Sequence, residues 1–434
     1  LALSGTDLMT HSKVILHPDP SRTVVRPFEP GDPDGYGTEG HPRAERIARR
    51  VLTLDEAGLE AEFERIRASF SSRQDDVESI LMLRFDQVDG LGIDVNAITH
   101  LQKLVIGGYF CEEYSFEAAA LFNPSIVRHH DQSGVPEGSV RFVLSLRGIG
   151  EGHVSSVTFR TGTWTPGGEI EIDAPCPAGI PPQLERSEGE EGQESVYLHC
   201  GGTRDISETV LFPFTAAQRQ GIEDVRLCSF EEEDGRISHL GTYTAYNGMV
   251  ARSELLRISE DLHHFEMHPF RGAAAQSKGM ALFPRRIDGR YVMLGRQDNE
   301  NVWLMRSDDL LTWEAGEILI PPKYQWEFVQ MGNCGSPIEI DEGWLVITHG
   351  VGSARNYCIG ASLLDKDDPS KLLKRMELPL VHPSPKERDG YVPNVVYSCG
   401  ALIQDRMLLL PYGVADSFTT FATVPVDDVL AAMV

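Results

Sequence analysis

Three charged residues within four positions, Glu223, Asp224 and Arg226 in G-I-E-D-V-R, form a packed acid–base cluster at the head of an apolar segment. A carboxyl group with an acidic neighbour and little solvent has its pKa pushed up, which suits a general acid. A turn-stabilising Asp–Arg pair accounts for the same spacing. Four basic residues recur in comparable settings: Arg147 in S-L-R-G, Lys278 in S-K-G-M-A-L-F-P, Arg296 in L-G-R-Q-D-N-E-N and His349 in T-H-G-V-G. Brought together, they would make an anion pocket; left apart, they are ordinary surface ion pairs. The polar run Arg296-Gln297-Asp298-Asn299-Glu300-Asn301 has the donors and acceptors that sugar hydroxyls need, and it also fits a polar hairpin turn.

Other chemistries find little support. The pairs His129-His130 and His263-His264 lack a neighbouring Asp or Cys at metal-ligand spacing, which favours exposed histidines over a metal site. No G-x-x-x-x-G-K-[ST], G-x-S-x-G or H-E-x-x-H pattern occurs, and the glycine-rich G-I-G-E-G-H at 148–153 lies between strands, as a backbone turn. The net charge of −26 repels phosphate backbones, which excludes nucleic acid as an expected partner. An anionic substrate would need a local basic pocket to overcome that field. No apolar run is long enough to span a membrane, and the first residues lack the pattern of a secretory signal. The seven cysteines are scattered without metal-type pairing and read as reduced thiols of a cytoplasmic protein.

The elements that must position these residues show in a repeat. Gly235, Gly289 and Gly343 each sit in a strand–turn–strand segment, and both intervals are 54 residues. S-E-D-L-H-H-F from Ser259 recurs as S-D-D-L-L-T-W from Ser307. Repeats of this kind mark a propeller or solenoid. Strand units at 221–266, 278–314, 332–375 and 393–427, with one at 117–165, predict an all-β, five-bladed β-propeller over 111–434. Residues 1–110 read as an extended arm followed by a helical extension. Its apolar positions are Ile47, Val51, Leu54, then Leu59, Phe63, Ile66 and Phe70. That extension is expected to cap the main domain, with a homo-oligomer contact as the alternative. Residues 165–205, with the run E-G-E-E-G-Q-E, read as a solvated insertion, and 215–219 as a short helical stretch.

Taken in order, F-N-P-S, G-I-E-D-V-R, T-Y-T-A-Y-N-G, K-G-M-A-L-F-P-R-R-I-D-G-R-Y-V-M-L, E-G-W-L-V-I-T-H-G-V, G-A-S-L-L-D, Y-V-P-N-V-V-Y and P-Y-G-V-A-D resemble glycoside hydrolase family 130 from about Phe122 onward. The family's members are five-bladed propellers that process β-mannosides, mostly as inverting phosphorylases and in some branches as hydrolases. The resemblance implies that Asp224 is the general acid, acting through a substrate hydroxyl. It implies that Asn123 and Asp416 hold the sugar where the bond breaks, with Glu223, Tyr246 and Asp298 completing the substrate-binding set. Arg147, Lys278, Arg296 and His349 would hold inorganic phosphate, a co-substrate that serves as its own nucleophile; no cofactor is implied. The expected partners are a mannose-containing oligosaccharide and phosphate.

The chain departs from the family pattern in places. Val225 stands where Pro is frequent, S-L-R-G-I-G-E-G-H replaces an F-R-A-E region, and His153 falls where many phosphorylases carry a second Arg. G-N-C-G-S-P replaces a Pro-richer stretch, and the helical extension is missing from many members. A hydrolase would instead need a carboxylate to activate water, and Glu151, Glu300 and Glu327 are the candidates. A carbohydrate-binding propeller without catalysis is the remaining reading.

Overall fold

The computed structural model describes residues 8–32, 40–70, 76–187, 194–384 and 390–434. The chain divides into two compact units. One holds residues up to Pro20, Phe116–Cys176 and Pro182–Val434; the other holds Ser21–Ser115 with Pro177–Pro181.

The first unit is built almost wholly from antiparallel strands. Its largest sheet consists of two antiparallel groups joined by one parallel pair, Gly221 opposite Ser155. Counting those groups separately, the described residues of the unit form five. The first runs Ala120–Arg128, Val140–Ile149, Ser155–Trp164, Ile170–Ile172, and the second Gly221–Glu231, Ile237–Tyr246, Ala251–Ile258, His264–Pro269. The third runs Ala281–Leu282, Tyr291–Gly295, Val302–Ser307, Gly316–Ile320. The fourth opens with Gln330–Asn333 and Ile338–Ile340, both on Gly343–Val351, and continues to Tyr357–Leu364 and Leu372–Arg375. The fifth opens with Val396–Tyr397 and Leu402–Gln404, both on Met407–Val414, followed by Phe418–Pro425 and Thr10–Leu16.

Inner strands are largely buried because both faces are covered: every residue of Gly343–Val351 is buried. Each group shares an apolar cluster with the next. Phe159 meets Tyr243 and Phe265, Phe230 meets Met293 and Trp313, Leu304 meets Trp344, and Ile347 meets Leu410. The fifth group returns to the first, where Leu409 and Phe421 pack with Phe142 and Trp164. Backbone bonds Leu121 N–H to Ser417 O (2.9 Å) and Cys399 N–H to Pro124 O (2.8 Å) tie the same two groups.

The sequence repeat maps onto these groups. Gly235, Gly289 and Gly343 lie at the turn into the second strand of the second, third and fourth groups. The fifth uses Asp405 and Arg406 there, both at positive φ, so the glycine spacing stops. Ser259 and Ser307 head the turns into fourth strands, where Asp261 and Asp309 accept backbone N–H groups and Phe265 and Trp313 are buried beyond.

Two sequence expectations need correction. The N-terminal arm contains strands: Thr10–Leu16 completes the fifth group, while Thr23–Pro27 pairs with Cys111–Ser115 in the other unit. The insertion is ordered in part, since Gln183–Arg186 and Val196–His199 extend the second group beyond His264–Pro269. The alternation of V-Y-L-H, with Val196 and Leu198 inward, is the signal that was available. The run's residues 188–193 lie outside the described residues, and 216–218 form a 3-10 turn capped by Thr215 and Gln218.

The second unit holds helices α1 (Arg43–Val51), α2 (Glu56–Phe70), α3 (Val77–Gln87) and α4 (His100–Tyr109). Leu54 does not continue the α1 stripe: α1 stops at Val51, Asp55 caps α2, and Leu54 is exposed. Gly107 lets α4 touch α3, where a Cβ would stand 2.1 Å from the Leu81 carbonyl oxygen. Among the described residues no helix is long and apolar enough to cross a membrane.

At Gly343 (φ +148°) a Cβ would stand 2.1 Å from the Leu364 carbonyl oxygen, whereas Gly235 (φ +81°) faces open space. Gly343→Ala should therefore lower unfolding stability by about 1–3 kcal/mol and Gly235→Ala by about 1 kcal/mol, read by urea denaturation. Equal losses would contradict the close approach at Gly343.

Candidate active site

Antiparallel pairing places the start of each first strand beside the end of the second. Phe122 lies opposite Arg147, Gly332 opposite His349 and Val396 opposite Val414. The repeat glycines occupy the other end. Asn123, Asp224, Arg147, Lys278, Arg296, His349 and Asp416 therefore all fall at one end of their groups, although they are spread from 123 to 416 in sequence.

Side-chain contacts join them. Asn123 Nδ2 donates to Asp224 Oδ1 at 2.7 Å, and Arg147 reaches Glu223 at 2.7 Å and Asp224 at 3.6 Å. Arg147 Nε also donates to Ser155 Oγ at 2.8 Å. Both strands bulge here: the register shifts between Phe122 and Ser125 and again between Glu223 and Arg226. Asn123 (φ +49°) and Asp224 (φ +54°) take the left-handed conformation, which Asn and Asp tolerate better than most residues. The bulge turns two polar side chains toward each other where regular pleating would separate them.

Asp224 differs from the sequence expectation. Burial pushes its carboxyl up, but Arg147, Arg226, the Asn123 hydrogen bond and Lys278 together outweigh burial, and its pKa lies below the usual value. Its side chain keeps 13% exposure, enough for a ligand to reach it. The raised carboxyl is Asp416, held at φ +50° and half-buried. Burial and the negative charges of Asp224 and Glu223 lift it to about 6, against Arg147 and Arg355.

The basic groups differ among themselves. Arg296 donates to His349 Nε2 at 3.3 Å, and the buried imidazole lies over Gly332, where a Cβ would stand 2.3 Å from it. Burial, then Arg296, Arg226 and Lys278, push His349 well below its ordinary pKa, so it is a neutral hydrogen-bonding group. Arg147 is engaged with carboxylates. Lys278 makes no ion pair among the described residues, yet its charge acts on both Asp224 and His349. Arg226 is an additional buried cation, donating to the Asp224 carbonyl oxygen (3.0 Å) and to Tyr397 Oη (2.8 Å).

Other sequence candidates stand apart. Tyr246 donates to the Gly248 carbonyl oxygen within its own turn, and Asp298 accepts from Glu300 N, Asn301 N and Asn301 Nδ2. Asp298 is thus a turn cap, and its hydrogen bonds hold it at about 2 against the upward push of burial. Glu327 is locked by Arg375 at 2.8 Å and by the 323 and 324 backbone N–H groups, so it cannot serve as a base. Glu300 is exposed on the Asp298 turn, and Glu151 is exposed on the 3-10 turn at 151–153. The His130 and His239 rings lie with centroids 3.6 Å apart, tilted by 33°, and His263 Nδ1 bonds Thr203 Oγ1 at 3.0 Å.

Tyr397 and Asn333 were not singled out from sequence. Asn333 lies on an inner strand in G-N-C-G as Asn123 does in F-N-P-S, and that parallel was the available signal. Asn123 Oδ1, Arg226 Nε, Arg296 Nε, His349 Nδ1 and both Asn333 amide atoms are buried without a protein hydrogen-bond partner. Such atoms cost about 1–3 kcal/mol each and are rare in native interiors. Of these residues, Asn123 and Arg226 bond Asp224, and Arg296 bonds His349.

A family described as beta-1,4-mannooligosaccharide phosphorylase matches residues 204–434. The chain is 39% identical over 233 residues to a 1,2-beta-oligomannan phosphorylase of Thermoanaerobacter sp. (strain X514), covering 52% of this chain and 75% of that protein. It is 30% identical over 231 residues to the Beta-1,2-mannobiose phosphorylase of Listeria innocua, covering 51% of this chain and 62% of that one, under two thirds of its length. The solved structure of a Listeria innocua Beta-1,2-mannobiose phosphorylase superposes with a TM-score of 0.52 at 20% identity, covering 74% of this chain and 92% of that one, a likeness of fold. The chain belongs to glycoside hydrolase family 130.

Proposed function

We propose that this protein is an inverting β-mannoside phosphorylase built on a five-bladed propeller. The ring is supported by the successive apolar clusters and by the bonds that return the fifth group to the first. The observation that carries the function is the convergence of one acid, Asp224, with Arg147, Arg226, Lys278, Arg296 and His349 at one end of the ring.

In this reading Asn123 and Asp416 hold the mannosyl unit and Asp224 delivers the proton to the leaving oxygen by way of a sugar hydroxyl. Phosphate lies on Lys278, Arg296 and His349 and attacks the anomeric carbon from the opposite face. The free Arg296 Nε and His349 Nδ1 supply donors that fit an oxyanion. Arg147 acts more on the acid than on the anion, because Glu223 and Asp224 already engage it. Of the three carboxylates weighed as a water-activating base, Glu327 is engaged by Arg375, and Glu151 and Glu300 are exposed on turns.

The ionised state of Asp224 sets the order of events. A general acid needs a proton, and the surrounding cations disfavour one. A phosphate dianion among those cations offsets their field, so Asp224 gains its proton as the anion binds.

The direct test is incubation with β-1,2- and β-1,4-mannobiose with and without phosphate. Phosphate-dependent release of α-mannose 1-phosphate is expected; equal turnover without phosphate and no sugar phosphate would remove the phosphorylase reading. Asp224→Asn should fold normally yet lose about 10²–10⁴-fold in turnover, and near-normal rates would refute its role. Sulfate, which does not titrate near neutrality, should bind with uptake of up to about one proton, read by calorimetry in buffers of different ionisation enthalpy. Asp224→Asn should abolish that uptake, and sulfate binding by the unaltered enzyme without it would contradict anion-linked protonation. Asp416 loses its charge as pH falls through about 6, so KM for the mannoside should rise below that pH. Asp416→Asn should lack the inflection, and an inflection retained in that variant would assign it elsewhere.

A further inference from the structure

Asn333 is 1% exposed, and neither its Nδ2 nor its Oδ1 has a hydrogen-bond partner among the described residues. Its neighbours fix where the amide points. Along Gln330–Asn333 side chains alternate between faces, so Asn333 shares a face with Met331. Met331 packs with Leu294 and Leu304 of the third group and with Trp344 and Val346 of the fourth. Its N–H donates to the Glu300 carbonyl oxygen at 2.8 Å. The Asn333 amide therefore turns into the seam between those two groups. Arg296 crosses the same seam to reach His349 Nε2 at 3.3 Å, and its Nε is also without a partner. Asn333 directly follows Gly332, against which the His349 ring packs. The charges of Arg226 and Arg296 both act on Cys334, the next residue, and Arg226 bonds the Asp224 carbonyl oxygen.

The hydrogen-bonding character of this seam is one-sided. Because Arg296 donates to His349 Nε2, the imidazole proton sits on Nδ1, so Lys278, Arg296 and His349 present donors only. Whichever way the Asn333 amide is turned, it adds a donor and an acceptor. That acceptor oxygen is out of place against an anion that itself only accepts, and leaving it unpaired is costly. Hydrogen phosphate resolves the conflict, because one of its oxygens carries a proton. We infer that Asn333 is a specificity-determining residue of the anion site, accepting the P–O–H of hydrogen phosphate at Oδ1 and donating to a neighbouring phosphate oxygen through Nδ2. The inference rests on the phosphorylase reading and adds why the pocket takes phosphate in preference to sulfate. In the displacement the held proton stays on phosphate. An unprotonated phosphate oxygen forms the bond to the anomeric carbon, the glycosidic C–O bond breaks, and the leaving oxygen takes its proton by way of Asp224.

The test begins with the unaltered full chain. Phosphate, sulfate and monofluorophosphate would be titrated calorimetrically at a pH where all three are dianions. Fluorophosphate resembles hydrogen phosphate in charge and shape but carries fluorine in place of the hydroxyl. Phosphate should bind at least about 10-fold more tightly than either. In Asn333→Leu, checked for folding by urea denaturation, phosphate should weaken by about 10-fold while sulfate changes by less than about threefold. Equal affinity for phosphate and fluorophosphate in the unaltered chain would overturn the inference whether or not the variant folds. Phosphate and sulfate weakened alike in Asn333→Leu would also overturn it, since an amide that only braces Arg296 or holds a water gives that result. Neither outcome bears on release of α-mannose 1-phosphate, so the inference and the phosphorylase reading fail separately.

Discussion

A carboxylate that stays ionised while largely out of water is the constraint on which the site depends. Taking Asp224 from solvent disfavours its charge, and the surrounding protein must more than repay that penalty. Arg147 and Arg226 do so from two directions, and the Asn123 amide adds a hydrogen bond. None of the three is near Asp224 by accident of sequence except Arg226. Asn123 and Arg147 belong to the neighbouring group of strands, and they reach Asp224 because two bulges at positive φ turn Asn123 and Asp224 inward.

The rest of the unit serves that geometry. Stacked apolar faces fix the groups against one another, so polar residues at the starts of first strands and the ends of second strands converge without being neighbours in the chain. Where a side chain must lie close to backbone, a glycine makes room, as Gly332 does beneath His349. Two electrostatic regimes result within one site. Asp224 sits in a positive field and sheds its proton; Asp416, facing Asp224 and Glu223, holds one up to about 6. One pair of carboxyls thereby acquires different charge states near neutral pH.

Much of this was legible in the sequence, for identifiable reasons. The turn glycines and the Ser-x-Asp-Leu segments exposed the strand groups because both devices are local and spaced by the repeat. The cations and Asp224 were legible because charges inside apolar flanks are costly and need a purpose. The direction of the Asp224 shift was not, since it depends on Arg147, 77 positions away, and on Asn123, 101 positions away. Asp298 and Glu327 looked functional because a polar run and a turn cap share the same composition. The strand at 10–16 was hidden because its partner, Phe418–Pro425, lies at the other end of the chain.

The central claim is that an anion and Asp224 share one field of positive charge. The most direct measurement is a crystal structure after soaking with a heavy oxyanion such as tungstate, located by its anomalous signal. The account predicts a peak bounded by Lys278, Arg296 and His349 at the Asp224 end of the strand groups; an anion bound only elsewhere, with those three groups turned apart, would contradict it.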